Sequence, residues 1–255
     1  MSDVREAVLD DGREVVVKRG HAPGATAAEA AGLRWLAAAG TVPVPAVHTH
    51  DEDRLVIDRV PAGRPSAAAA EGFGRGLAGL HAAGAPAFGA PPPDGPAQAW
   101  IGRAPMVNVP AADWASWYAA DRVLPYVRLA VDAGTFGPAE AAVLERACAR
   151  IPASAEPPAR LHGDLWNGNV LWDGDEAWLI DPAAHGGHRE TDLAMLHLFG
   201  CPHLDRVLAA YDEAAPLADG RRDRIGLHQL FPLLVHTVLF GQSYAGQALA
   251  AARSF

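Results

Sequence analysis

Leu161-His162-Gly163-Asp164-Leu165-Trp166-Asn167-Gly168-Asn169-Val170-Leu171-Trp172, followed after Asp173-Gly174-Asp175 by Ala177-Trp178-Leu179-Ile180-Asp181-Pro182, is the stretch on which the reading of this chain turns. Residues 170–172 and 177–180 are short apolar runs on either side of a Gly-containing turn, the pattern of a tight β-hairpin. Antiparallel pairing sets the start of one strand beside the end of the other, so Asn169 and Asp181 belong to one edge. The polar loop ahead of the hairpin delivers Asp164 to that edge.

One carboxamide and two carboxylates converging there make an oxygen-rich site for a hard cation such as Mg2+, which keeps waters and substrate phosphates as its other ligands. That is the arrangement phosphoryl transfer uses. In that chemistry one Asp orients the attacking hydroxyl, while an Asn and a second Asp hold metal on the phosphates. The pattern predicts Asp164 in the first role, and Asn169 with Asp181 in the second. A carboxylate is too weak to deprotonate a sugar hydroxyl outright. Asp164 is therefore expected to orient the hydroxyl and take its proton late, which asks no unusual pKa of it.

Composition narrows the function classes. The 255 residues suffice for one or two compact units at about 150 residues each. A net charge of −9 repels phosphodiester backbones and argues against a nucleic-acid partner. The longest apolar runs, such as residues 230–240, are broken by Pro232 and His236 and fall short of the ~20 residues a membrane span needs. The acidic start, with Asp3, Glu6, Asp10 and Asp11, lacks the basic region and apolar core of a secretory signal. Cys148 and Cys201 are too few for a disulfide framework, so a cytoplasmic setting is expected. Of 21 basic residues, 20 are Arg; Lys18, the one Lys, marks a position where a compact ammonium matters.

Two β-rich runs, 5–9 and 13–18, flank Asp10-Asp11-Gly12 and predict a hairpin that ends at Lys18. A helix is expected over 26–39, with Thr26 as N-cap, Glu29 three residues on and Gly40 as the stop. Strands over 44–49 and 55–60 complete a small sheet. Beyond Pro61, Gly63 and Pro65 the pattern is helical, over 66–83, 112–133, 138–151, 189–199 and 226–252, with 85–96 an irregular surface loop. The expected fold class is α+β, with a β-rich unit over residues 1–60 and a helical unit over 61–255.

His162-Gly-Asp, Asn169 and Ile180-Asp181 resemble the catalytic and metal loops of the aminoglycoside phosphotransferase and protein-kinase-like superfamily. The longer text, with Leu179-Ile-Asp-Pro-Ala, Gly187-His-Arg-Glu-Thr-Asp-Leu-Ala-Met, Leu198-Phe-Gly, Leu239-Phe-Gly, Trp100-Ile-Gly and Asp113-Trp, is similar to the fructosamine kinase family from about Val4 to the C-terminus. The resemblance implies a two-lobed kinase-like fold with Mg-ATP in the cleft. Lys18 then matches the strand lysine on the α- and β-phosphates and Glu29 its helix partner, a role that competes with the Thr26 capping box for one carboxylate. Asp58, Arg59 and Val60 match the hinge whose backbone binds adenine, and Asp192 the residue that braces the catalytic loop from behind. The implied acceptor is a ketosamine, an Amadori-type adduct phosphorylated on its 3-hydroxyl. The phosphorylated adduct then falls apart and releases the amine. Family members carry a further strand and Gly-rich turn at the start, of which Met1 to Val4 leave almost nothing.

Within that frame, Trp166, Asn167 and His188 are expected to touch substrate, and His162 to hold the loop. A kinase for an aminoglycoside or a choline-like acceptor is the nearest alternative. Two readings of other classes compete. A zinc hydrolase would use His162, His185, His188 and His197 with Asp164 and Asp181, although Gly186-Gly187 suggests a flexible loop there. A nucleotide-binding pseudoenzyme would have no chemical need for Lys18, Glu29, Asp164, Asn169 and Asp181 together.

Overall fold

The computed structural model describes residues 4–255, so the expectation concerning a Gly-rich start lies, for Met1 to Asp3, outside the described residues. An antiparallel sheet in the order β1-β2-β4-β3 comprises β1 (Val4–Val8), β2 (Glu14–Arg19), β3 (Val47–His50) and β4 (Arg54–Asp58). Gly12, at φ 85°, closes the β1–β2 turn, where the Asp-Gly corner supplies a left-handed position. Lys18 pairs with Leu55 across β2–β4, which seats it in the middle of the sheet. Helix α1 (Ala25–Ala37) covers one face, and Ala30 and Leu33 pack on Leu55 and Ile57.

Thr26 does not cap α1. The helix starts after Gly24, and the Thr26 hydroxyl donates to the Asp51 carbonyl at 2.6 Å, tying the helix to the β3–β4 turn. Without that cap, Glu29 is left to Lys18, with which it makes an ion pair.

After residue 60 the chain is mainly helical. Helix α2 (Ala67–Ala82) begins at Ser66, whose hydroxyl accepts from the Ala69 N–H at 3.1 Å. The predicted 112–133 helix is α3 (Trp114–Trp117), a π-helical turn (Tyr118–Val123) and α4 (Leu124–Asp132). Helix α5 (Pro138–Cys148) follows. The expected 226–252 helix is two, α8 (Arg221–Phe240) and α9 (Gln242–Arg253), broken at Gly241 with φ 69° so that α9 folds back on α8.

Four features depart from the expectation. A hairpin of β5 (Gln98–Ile101) and β6 (Ala104–Val107) extends from the 85–96 loop, and that loop itself buries Phe88 and Ala90. Helix α7 (Leu204–Ala214) turns Val207, Leu208 and Tyr211 onto α2. It lies so close that a Cβ on Gly74 would sit 2.2 Å from the Val207 carbonyl oxygen. The stretch expected to be a flexible loop around Gly186-Gly187 is β10 (His185–Gly187), paired with β7 (Ala159–Leu161) and fully buried. It leads into α6 (Glu190–Leu198). Among the described residues no helix is long and apolar enough to cross a membrane.

Candidate active site

β7 leads directly into the decisive loop, which ends in a short 3-10 turn (Asn167–Asn169) and the hairpin β8 (Val170–Trp172) with β9 (Ala177–Leu179). The loop is held from behind by Asp192 on α6. Its carboxylate accepts the His162 N–H at 2.8 Å and the Gly163 N–H at 3.0 Å, and the His81 ring lies at 3.2 Å. Burial works against the Asp192 charge, yet His81, His162 and these N–H groups hold the carboxyl below its ordinary value. His162 is fully buried, with Nε2 on the Ile180 carbonyl at 2.9 Å and Nδ1 near the Asp164 N–H. Burial pushes its pKa down, so it joins the two loops as a neutral ring. Gly163 has φ 82°, and a Cβ there would meet the Ala183 carbonyl oxygen at 2.1 Å, so only glycine fits.

The loop brings Asp164, Asn169 and Asp181 to one edge. Asn169 Nδ2 donates to the Asp164 carbonyl at 2.8 Å and to Asp164 Oδ2 at 3.1 Å, which leaves the carboxamide oxygen available. Asp181 stands in the left-handed region at φ 53°, which Asp tolerates better than most residues other than glycine. Its Oδ1 accepts from Lys18 Nζ at 2.7 Å, and Glu29 engages the same ammonium. Burial opposes the Lys18 charge, but Glu29 and Asp181 outweigh it and raise its pKa.

Asp164 departs from the sequence expectation. Burial is the main cause that lifts its pKa to about 7, with Asp181 and Asp192 adding to it and the Asn169 hydrogen bond opposing.

Lys18, Glu29, Asp164, Asn169 and Asp181 all line one cavity of about 480 Å³. Trp166 also lines it, held edge-on to Phe199 with centroids 5.9 Å apart. Asn167 is exposed beside the cavity and does not line it. His188 is not in the cleft. It is buried against Trp114 and His228, lines a separate cavity with Glu190, and burial depresses its pKa to about 4. Asp58, Arg59 and Val60 lie outside the cavity lining at the end of the sheet. There Asp58 binds His48 at 2.6 Å and Arg59 binds Glu6 and Glu14, while the Asp58 and Arg59 N–H groups donate to Ala46 and Glu14 carbonyls.

The zinc set is not assembled, since His185 is turned to the Ala183 carbonyl, His188 to Ser154 and His162 to Ile180. No group of three or more His, Cys, Asp or Glu side chains placed to share one metal ion occurs among the described residues. The cavity also has walls that sequence reasoning missed: His21, Trp100 and Arg103, with Phe240 from the end of α8. Proximity to Lys18 could have flagged His21, and the Trp-Ile-Gly run Trp100.

The family model for fructosamine kinase matches residues 6–254. This chain belongs to that family. It is 35% identical over 226 residues to a "probable ketoamine kinase" of Thermus thermophilus, covering 88% of this chain and 80% of that protein. A crystal structure of a "putative fructosamine-3-kinase" from Thermobifida fusca superposes with a TM-score of 0.91 at 48% identity, over 99% of this chain and 89% of the other. A more distant likeness, with a TM-score of 0.62 at 17% identity over 99% and 93% of the two chains, is to an aminoglycoside phosphotransferase in complex with AMP-PNP and hygromycin B. That likeness shows the protein-kinase-like fold. Membership makes this chain a phosphotransferase of the ketoamine kinase type.

Proposed function

We propose that this enzyme transfers the γ-phosphoryl group of ATP to a sugar hydroxyl of a ketosamine, the 3-hydroxyl in the fructosamine or ribulosamine case. The observation that carries the reading is the convergence of Lys18, Glu29, Asp164, Asn169 and Asp181 on one cavity. Asp164 accepts a hydrogen bond from the acceptor hydroxyl and aims its oxygen at the phosphorus. The O–P bond to the acceptor forms as the bond to the ADP oxygen breaks. The hydroxyl proton passes to Asp164 late in the step, once oxygen has become acidic, and ADP leaves.

Lys18, held between Glu29 and Asp181, meets the α- and β-phosphates, and adenine is received beside the hinge at residues 58–60, where the Asp58 and Arg59 N–H groups are already spent on the Ala46 and Glu14 carbonyls. The donor set suits Mg2+: the Asn169 carboxamide oxygen faces away from the Asp164 contact, and Asp181 has one carboxylate oxygen beyond the one Lys18 uses. Mg2+ held by Asn169 and Asp181 would neutralise charge on the phosphates. Trp166 offers its indole face to the sugar or the amine, and Asn167 stands at the rim. A 3-phosphorylated ketosamine readily expels the amine, so the consequence is deglycation, and we place it in the cytoplasm.

The test is Mg2+-dependent ADP release with ribulosamines, fructosamines and aminoglycosides, beside Asp164→Asn. Turnover confined to ketosamines and lost in the variant is the expected result. Turnover of aminoglycosides alone would replace the acceptor assignment, and ATP binding without any turnover would mean a pseudoenzyme.

A further inference from the structure

The cavity around Asp164 carries a positive charge that phosphoryl transfer leaves unassigned. Lys18 is already shared between Glu29 and Asp181. His21 contributes little charge near pH 7, because burial, then Arg103 and Lys18, hold its pKa below the ordinary histidine value. Arg103 is different. It is exposed at the tip of the β5–β6 hairpin, lines the cavity, and has no hydrogen-bond or ion-pair partner among the described residues. The half-buried Arg189 and Arg224 elsewhere are each forked onto a glutamate.

The position of Arg103 points to the acceptor. Gly102 beside it packs against α8, where an added Cβ would lie 3.4 Å from Leu239 Cδ1, and Phe240 at that end of α8 lines the same cavity. Residues 58–60, at the adenine end of the proposed site, do not line it. Arg103 therefore stands exposed on the rim of the cavity that Asp164 lines, on the side built with the end of α8.

In a ketosamine built on an amino acid, the α-carboxylate lies five bonds from C3, about 6 Å in an extended chain. A phosphate on the terminal sugar carbon of a fructosamine lies equally far along the other arm. Both are anions whose paired oxygens match the guanidinium fork. Resting on the ketosamine reading, we propose that Arg103 determines acceptor specificity by binding an anionic group on the ketosamine, remote from the hydroxyl that is phosphorylated.

The experiment compares kcat/KM for three acceptors: fructosylglycine, the fructosyl adduct of methylamine, and that methylamine adduct phosphorylated on its terminal sugar carbon. Wild type, Arg103→Gln and Arg103→Lys are measured with each, and KM for ATP in parallel. The expected result is a preference of roughly ten-fold or more for an acceptor that carries the anionic group over the methylamine adduct that lacks one, expressed in KM. It shrinks toward one in Arg103→Gln and survives in part in Arg103→Lys, with KM for ATP unchanged. The favoured acceptor, glycine adduct or sugar phosphate, identifies the source of the anion.

Equal use of all three acceptors by wild type, or a preference that persists in Arg103→Gln, overturns the assignment while leaving the ketosamine reading intact. So does a rise in KM for ATP with selectivity unchanged, which would put Arg103 on the nucleotide. Failure of wild type to phosphorylate any of the three or the matching ribulosyl adducts refutes the ketosamine reading, and this inference with it. Because Arg103 is exposed and unpartnered among the described residues, the Tm of each variant is expected to match wild type.

Discussion

Replacing Asp164 by Asn should abolish phosphoryl transfer and, above neutral pH, make the protein more stable. The folded protein holds the Asp164 proton to about pH 7, whereas the unfolded chain releases it near 3.8. Between those values the folded state binds more protons than the unfolded one, so wild-type stability falls as pH rises through the window and levels off above it. A difference of about three pKa units is worth at most ~4 kcal/mol, at 1.36 kcal/mol per unit. Asn is neutral at every pH, and its carboxamide oxygen can still accept the Asn169 bond that Asp164 Oδ2 now accepts. The stability gap between variant and wild type should widen by ~2–3 kcal/mol from pH 5 to pH 8. For a chain of this length that corresponds to roughly 5–10 °C in Tm. Differential scanning calorimetry of the two proteins in EDTA without nucleotide, at half-unit pH steps, measures it directly. A gap that stays constant across that range would refute the burial argument, and a gap that narrows would reverse its sign.

Lys18→Met leaves Glu29 and Asp181 facing each other without their cation, and should cost about 2–4 kcal/mol in urea unfolding together with loss of ADP binding. Gly163→Ala puts a methyl group on the Ala183 carbonyl at a φ of 82°; kcat should drop by ~100-fold or more as the Asp164 loop shifts. Gly246→Ala in α9, where nothing lies within 4 Å of the added carbon, should instead stabilise by ~0.5–1 kcal/mol, and serves as the contrast in the same melts. Asp192→Asn should destabilise by about 2–3 kcal/mol at pH 7. The Asp192 pKa is held below its unfolded value, so its contribution is present at neutral pH and fades as pH falls through the folded value. Acid titration of both melts should show the two curves converging.

The hairpin β8–β9 and its three polar residues were legible because a short-range pattern specifies them: two apolar runs, a Gly turn and side chains at fixed offsets from it. The sheet was legible for the same reason. Glu29 was ambiguous in one dimension, since a helix N-terminus and a strand lysine make equal local claims on a carboxylate. The Thr26 hydroxyl decided it by bonding the Asp51 carbonyl across the sheet. What local pattern could not supply is close backbone approach between distant segments. Gly186-Gly187 reads as a loop, yet it is a buried strand because a Cβ on Gly186 would lie 2.1 Å from the Ala87 carbonyl oxygen. His188 follows that strand into the interior and misses the cleft. Helix α7 had a readable apolar face in Val207, Leu208 and Tyr211, but its place depends on the missing side chain of Gly74.

The same limit explains why Arg103 is invisible in the sequence. It is one of 20 arginines, and nothing near it in the chain is catalytic. Folding changes its meaning, because the β5–β6 hairpin carries it to the rim of a cavity whose floor is made 60–80 residues later by Asp164, Asn169 and Asp181. Phosphoryl transfer needs groups at fixed distances from phosphorus, so the reacting residues share two adjacent loops and leave a compact signature. Acceptor choice needs only a charge somewhere along the substrate, so any element that reaches the rim can supply it. Reaction type is therefore written in contiguous sequence here, while specificity is written in the contact between the hairpin and the end of α8, and has to be read from the fold.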